Sequence, residues 1–211
     1  MTRTVFFDLD GTLTDPKVGI TVSIQYALER LGAEVPEADD LDWCIGPPLL
    51  ESLATLAGAD QSLEALNLYR ERFSVEGLYE NTIYPGIADM LSCLSESDVQ
   101  LCVASSKPRI YVCKILEYFE LTGFFTKIFG SELDGTRGDK SDLLRFALTE
   151  SQSDASTSVM VGDRKHDIVG AKNNNITAIG VLYGYGSEIE LKQAGARHLA
   201  DSPESLLSLL L

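Results

Sequence analysis

Five short, continuously apolar runs, each closed by a polar cluster and separated by segments of helical period, constrain this chain more than any other feature. Thr4-Val5-Phe6-Phe7 ends in Asp-Leu-Asp-Gly-Thr, and Gln100–Ala104 ends in Ser-Ser-Lys-Pro. Lys127–Phe129 ends in Gly-Ser-Glu, Ser158–Val161 in Gly-Asp-Arg, and Ala178–Leu182 in Tyr-Gly-Tyr-Gly. Runs without polar alternation suit strands buried on both faces, as in a parallel sheet covered by helices. Between them Ile87, Met90, Leu91 and Leu94 share a helical face, as do Ile110, Cys113 and Leu116, and Leu144, Ala147 and Leu148. Strand alternating with helix predicts an α/β fold with a doubly wound, Rossmann-like parallel sheet.

One interval breaks the alternation. Residues 16–81 carry helix signals only: Ile20, Ile24, Ala27, Leu28 and Leu31 before Gly32, then Leu50, Leu53, Ala54 and Ala57 before Gly58, then Leu66, Tyr69 and Phe73. A stiff loop, Cys44-Ile45-Gly46-Pro47-Pro48, separates the first two. We therefore expect residues 1–15 and 82–211 to form the α/β core, with residues 16–81 inserted after the first strand as a small all-helical cap. A closing helix is expected over Ser205–Leu211.

Charge narrows the function. Lys and Arg total 17 against 32 Asp and Glu, a net charge of −15. Such a field repels phosphate backbones and anionic membrane surfaces, so neither nucleic acid nor membrane is an expected partner. An anionic substrate would need a metal ion or a few placed cations to cancel that field locally. No segment approaches the roughly 18 apolar residues of a membrane span, and no cleavable leader precedes Val5, so a cytoplasmic protein is expected. Four cysteines (Cys44, Cys93, Cys102 and Cys113) show no metal-ligand spacing and read as buried, reduced thiols.

In doubly wound folds ligands bind beyond the carboxyl ends of the strands. Asp8 and Asp10 stand there at i and i+2, on the same side of an extended segment. Asp163 follows another run, and Asp167 lies one helical turn further on. Any one of these could be a cap or a turn residue. Four of them at neighbouring strand ends would repel one another without a hard cation, and an all-oxygen donor set points to Mg²⁺ rather than zinc. Ser105 and Ser106 close the second run and open a helix at Lys107-Pro108, which makes Ser105 either a phosphate ligand or an N-cap. Lys140 opens another helix against the macrodipole, either as an ordinary surface lysine or because it serves the site.

These residues carry a resemblance. Asp8-Leu9-Asp10-Gly11-Thr12-Leu13-Thr14-Asp15 resembles the first motif of the haloacid dehalogenase-like hydrolases, and Val103–Pro108 resembles the second. Lys140 matches the lysine of the third motif, and Gly162-Asp163-Arg164-Lys165-His166-Asp167 the acidic fourth. Ile45–Leu49, Tyr84-Pro85-Gly86, Gly130–Arg137 and Val181–Gly186 are similar to the branch of phosphoglycolate phosphatases and 5′-nucleotidases. Ser-Ser replaces the more common Thr followed by Asn or Ser, and the hydroxyl is retained. The resemblance implies a Mg²⁺-dependent phosphatase of small phosphate monoesters, a monomer or homodimer, acting through an aspartyl-phosphate. In it Asp8 is the nucleophile and Asp10 the acid–base. Ser105, Ser106 and Lys140 bind the phosphate. Asp8, Asp10 (through its backbone carbonyl), Asp163 and Asp167 hold the metal.

A phosphomutase or phosphotransferase is the alternative, differing in whether water or a second hydroxyl receives the phosphoryl group. Halide release has no need of Asp10, and a merely binding module has no need of the full catalytic set. His166 reads as a solvated turn residue, Arg164 and Lys165 as partners of nearby acids, and Trp43 as part of the cap core.

Overall fold

The computed structural model describes residues 3–211; the first two, on which part of the leader expectation falls, lie outside the described residues. The chain forms two compact units, Met1–Asp15 with Ile83–Leu211, and Pro16–Thr82.

In the first unit the strands are β1 (Arg3–Phe7), β2 (Thr14–Asp15), β3 (Thr82–Ile83, at the boundary), β4 (Val99–Pro108), β5 (Lys127–Ser131), β6 (Ser158–Gly162), β7 (Thr177–Val181) and β8 (His198–Ala200). Helices α1 (Lys17–Leu31), α2 (Leu49–Ala57) and α3 (Ser62–Arg72) belong to the second unit. Helices α4 (Ile87–Ser95), α5 (Arg109–Tyr118), α6 (Lys140–Ser151), α7 (Lys165–Asn173), α8 (Glu188–Ala194) and α9 (Pro203–Leu210) belong to the first. The main sheet runs β5-β4-β1-β6-β7-β8, parallel at every pairing. The doubly wound parallel sheet expected from the apolar runs is thus present.

Alternation within β1 explains why those runs are continuous. Phe6 points into a cluster with Cys102, Ala104, Phe129 and Met160, covered by Leu143, Leu144 and Ala147 of α6 and Ile168 and Ala171 of α7. Val5 and Phe7, facing the other way, are equally buried, and α4 and α5 pack on that side of β4. Both faces are dry, so Val5, Phe6 and Phe7 are apolar without alternation. Strand order reverses at β1, whose neighbours β4 and β6 lead to opposite halves of the sheet; that reversal opens the crevice in which such folds bind ligands.

In the second unit α1, α2 and α3 pack together, burying Ile20, Ile24, Leu28, Leu53 and Tyr69. Gly32 ends α1 in the left-handed conformation (φ 67°). After α3 the chain makes one π-helical turn, Phe73–Gly77, with Leu78 N–H donating to Phe73 O at 2.9 Å. The turn is fastened by Arg72, whose guanidinium donates to both carboxylate oxygens of Glu80 at 2.7 and 2.8 Å.

Four local expectations are corrected. Strand β4 continues through Lys107-Pro108, so α5 opens at Arg109 and Ser105 is not its N-cap. The α5 face is turned accordingly: Tyr111, Val112, Ile115 and Leu116 are buried and Ile110 is half exposed. Cys93 is exposed and Cys113 half-buried, because each lies at the border of its helix's apolar stripe; all four thiols are free. Trp43 is 43% exposed instead of packed in a core.

Candidate active site

Each charged side chain of the crevice is set by the strand or helix that ends there. After β1 the backbone stays paired for one more residue, Asp8 N–H donating to Val161 O at 2.9 Å. It then turns back on itself, with Leu13 N–H and Thr14 N–H both donating to Leu9 O. Gly11 makes this turn at φ 76°, and a Cβ there would collide with the Asp163 carboxylate, so no other residue fits. The turn buries Asp8 and Asp10.

Lys140 is the first residue of α6, whose N-cap, Asp139, accepts from Ser141 N–H and Asp142 N–H at 2.8 and 3.1 Å. Its ammonium reaches Asp8 Oδ1 at 3.1 Å, Asp167 Oδ1 at 2.7 Å and the Ala104 carbonyl at 2.9 Å. Burial works against that charge, but Asp167 and Asp8 outweigh it and hold the Lys140 pKa above the ordinary lysine value. Asp167 lies in the first turn of α7, where its Oδ2 accepts from Arg164 N–H at 3.1 Å. Asp163, just past β6, is fully buried; its Oδ2 accepts from Tyr185 N–H at 2.8 Å and its Oδ1 has no protein partner.

Asp8, Asp163 and Asp167 each offer a carboxylate oxygen, all within 4.8 Å of one another. Burial pushes the Asp163 carboxyl well above the usual carboxylate range, reinforced by Asp167 and Asp8. Burial likewise lifts Asp167 to about 6, with Lys140 pulling the other way. Both shifts say the same thing: one ammonium is too little positive charge for three buried carboxylates. A hard divalent cation would supply the balance, and the orphaned Asp163 Oδ1 together with the all-oxygen donor set suits Mg²⁺.

Asp10 stands apart. Its carboxylate is absent from the three-aspartate set and is gripped by Lys107 Nζ at 2.8 and 2.6 Å. Burial raises its pKa in spite of Lys107. Ser105 is buried within β4, three residues before its end, its Oγ accepting a long 3.4 Å bond from Lys107 N–H. Ser106 is half-buried, its carbonyl accepting from Ser131 Oγ at 2.8 Å.

The sequence reading gave no role to Lys107 or to the Tyr183–Gly186 segment. Besides the Tyr185 N–H bond to Asp163, Tyr183 Oη donates to Thr12 O at 3.2 Å and Tyr185 Oη bonds the Asp15 carboxylate. A Cβ on Gly184 would run into Gly11 O and the Asp163 side chain, so this glycine lets the segment close over the turn. Two glycines spaced by tyrosines at a strand's carboxyl end was the available signal. Arg164 pairs with Glu190 at 3.0 Å, as read for it, and His166 is half-buried on α7.

The sequence profile of the haloacid dehalogenase-like hydrolases matches residues 5–181. The chain belongs to that family. Among haloacid dehalogenase-like proteins it is 46% identical over 196 residues to a 5′-nucleotidase of Pseudomonas aeruginosa, covering 92% of this chain and 89% of that one. It is 40% identical over 182 residues to the tyrosine-protein kinase PtkA of Mycobacterium tuberculosis, covering 86% of this chain and 62% of the longer kinase. A solved structure described as a predicted phosphatase from Clostridium acetobutylicum superposes with a TM-score of 0.96 at 39% identity, covering 100% of this chain and 98% of that one.

Proposed function

We propose that the protein is a Mg²⁺-dependent phosphatase that hydrolyses small phosphate monoesters through an aspartyl-phosphate on Asp8. The observation that carries this reading is the buried set Asp8, Asp163 and Asp167 with Lys140 as its one ammonium. Mg²⁺ held by Asp8, the Asp10 backbone carbonyl and Asp163, with Asp167 in or near its shell, would supply charge neutralisation between nucleophile and substrate.

The chain's own residues then divide the work. An Asp8 carboxylate oxygen attacks phosphorus as the ester P–O bond breaks, and Asp10, protonated, gives its proton to the departing alkoxide. Asp10, now a base, takes a proton from water, which attacks the same phosphorus; inorganic phosphate leaves and Asp8 is restored. Lys140 and the Ser105 hydroxyl, with Ser106 beside it, hold the equatorial oxygens as charge spreads over them. The raised pKa of Asp10 suits a residue that must carry a proton in one half-reaction and lose it in the other.

We read the Pro16–Thr82 unit as a cap that selects the substrate through residues 43–49. The 5′-nucleotidase relative and the resemblance to phosphoglycolate phosphatases support small soluble monoesters, nucleoside 5′-monophosphates or phosphoglycolate, as the substrate class. Likeness to a protein named as a tyrosine kinase favours one second reading, transfer of the phosphoryl group to a hydroxyl acceptor. Phosphate release across a metabolite panel with Mg²⁺, repeated with excess alcohol or tyrosine acceptor, tests both. High kcat/KM for one monoester supports hydrolysis, and dominant acceptor phosphorylation overturns it.

A further inference from the structure

The ion pairs of the crevice sort its acids into two groups. Lys140 serves Asp8 and Asp167, two of the three carboxylates that lie within 4.8 Å of one another. Lys107 serves the fourth acid, Asp10, touching both of its oxygens, and the pair is nearly sealed from solvent with side chains 7% and 9% exposed. Lys107 lies in the stretch where β4 and β5 fall out of register, between Ser105 and Pro108. An irregularity of that kind re-aims side chains at a strand's end.

This arrangement answers a problem that clustered aspartates create. A carboxylate beside a divalent cation gains more by ligating it than by standing free, and once ligated it is a poor proton carrier. Asp10 follows Asp8 by two residues, yet its carboxylate lies with Lys107 and outside the three-aspartate set. We infer that Lys107 is a positioning residue that withholds the Asp10 carboxylate from the metal and keeps it available for proton transfer. The inference rests on the assignment of Asp10 as acid–base and of the three aspartates as cation ligands.

The test is calorimetric Mg²⁺ binding alongside steady-state kinetics for the wild type, Lys107→Met, Lys107→Arg, Asp10→Asn and the Asp10→Asn/Lys107→Met double variant. Methionine keeps the aliphatic stem and so the packing. Lys107→Met is expected to tighten Mg²⁺ on the order of tenfold, as one added carboxylate ligand does, while kcat falls about 10²-fold or more and KM changes little. Lys107→Arg is expected to return Mg²⁺ affinity to the wild-type value and to recover part of kcat. In the Asp10→Asn background, Lys107→Met is expected to leave Mg²⁺ affinity unchanged.

Equal tightening with and without the Asp10 carboxylate would reduce Lys107 to a repelling charge and overturn the inference, as would no tightening with Asp10 intact. A wild type that binds no Mg²⁺ overturns the metal reading itself, and is seen before any substitution is made.

Discussion

Asp8 and Asp163 differ by the company they keep. Asp8 has the Lys140 ammonium and the Leu9 N–H as partners, whereas Asp163 has one backbone N–H and a bare buried oxygen. Asp8→Asn retains shape but removes the proposed nucleophile. We expect turnover to fall at least about 10³-fold, as loss of a nucleophile does, with the circular dichroism spectrum unchanged; substantial residual hydrolysis would refute the assignment. At this scale the sequence was legible where a residue's neighbours along the chain explain it. Asp163 follows a continuous apolar run, whereas the i, i+2 spacing expected to aim Asp8 and Asp10 at one point is overridden by the turn after β1, which leaves the Asp10 carboxylate with Lys107. Lys107 was not legible, because the carboxylate that gives it meaning lies 97 positions away. Cys93 and Trp43 were misjudged for a similar reason: their exposure depends on what packs beside them.

The Tyr183–Gly186 segment after β7 touches the turn after β1 and Asp163, just past β6, together. Gly184→Ala forces a Cβ against Gly11 O and the Asp163 side chain. The cost expected of such overpacking is about 1–3 kcal/mol, measured by chemical unfolding, with weaker Mg²⁺ binding by calorimetry. Unchanged metal affinity would contradict a role for this segment in orienting Asp163. In the helical unit, Glu80 is held below its ordinary pKa by the hydrogen bonds from Arg72. A depressed carboxylate contributes stability above its unfolded pKa, near 4.5, and loses it as pH falls through the folded value. Glu80→Gln should therefore cost on the order of 0.5–1 kcal/mol at pH 7, as partly exposed pairs do, and the difference from wild type should shrink below pH 4. A constant difference across that range would contradict the ion pair. The long strands were legible because both their faces are dry, but β8, three residues with an exposed His198, carries too little apolar signal to register.

For the whole molecule, a net charge of −15 and the proposed anionic substrate would have to be reconciled at the crevice. On the proposed function, two ammonium groups and a divalent cation there would offset four carboxylates and turn a repelling surface into a local trap for a phosphate dianion. Mg²⁺ at 100 times its Kd should raise stability by about 2.7 kcal/mol, visible as an upward shift in Tm that Asp163→Asn reduces. The same shift in both proteins would place the ion elsewhere. Substitutions within residues 43–49 should alter substrate preference more than metal affinity, and unchanged selectivity would remove that loop from recognition. Architecture at this scale was legible from the alternation of apolar runs and helical periods, interrupted once between residues 16 and 81. Which monoester is used was not, because every candidate presents the same dianion to the sheet.

The most direct measurement is phosphate release from a monoester panel as Mg²⁺ is titrated into chelator-stripped wild type and Asp163→Asn. Silence without metal, saturable activation of the wild type, and a variant that needs far more Mg²⁺ or never recovers are the expected results. Full activity in excess chelator, or identical Mg²⁺ curves for the two proteins, would contradict the Mg²⁺-dependent reading.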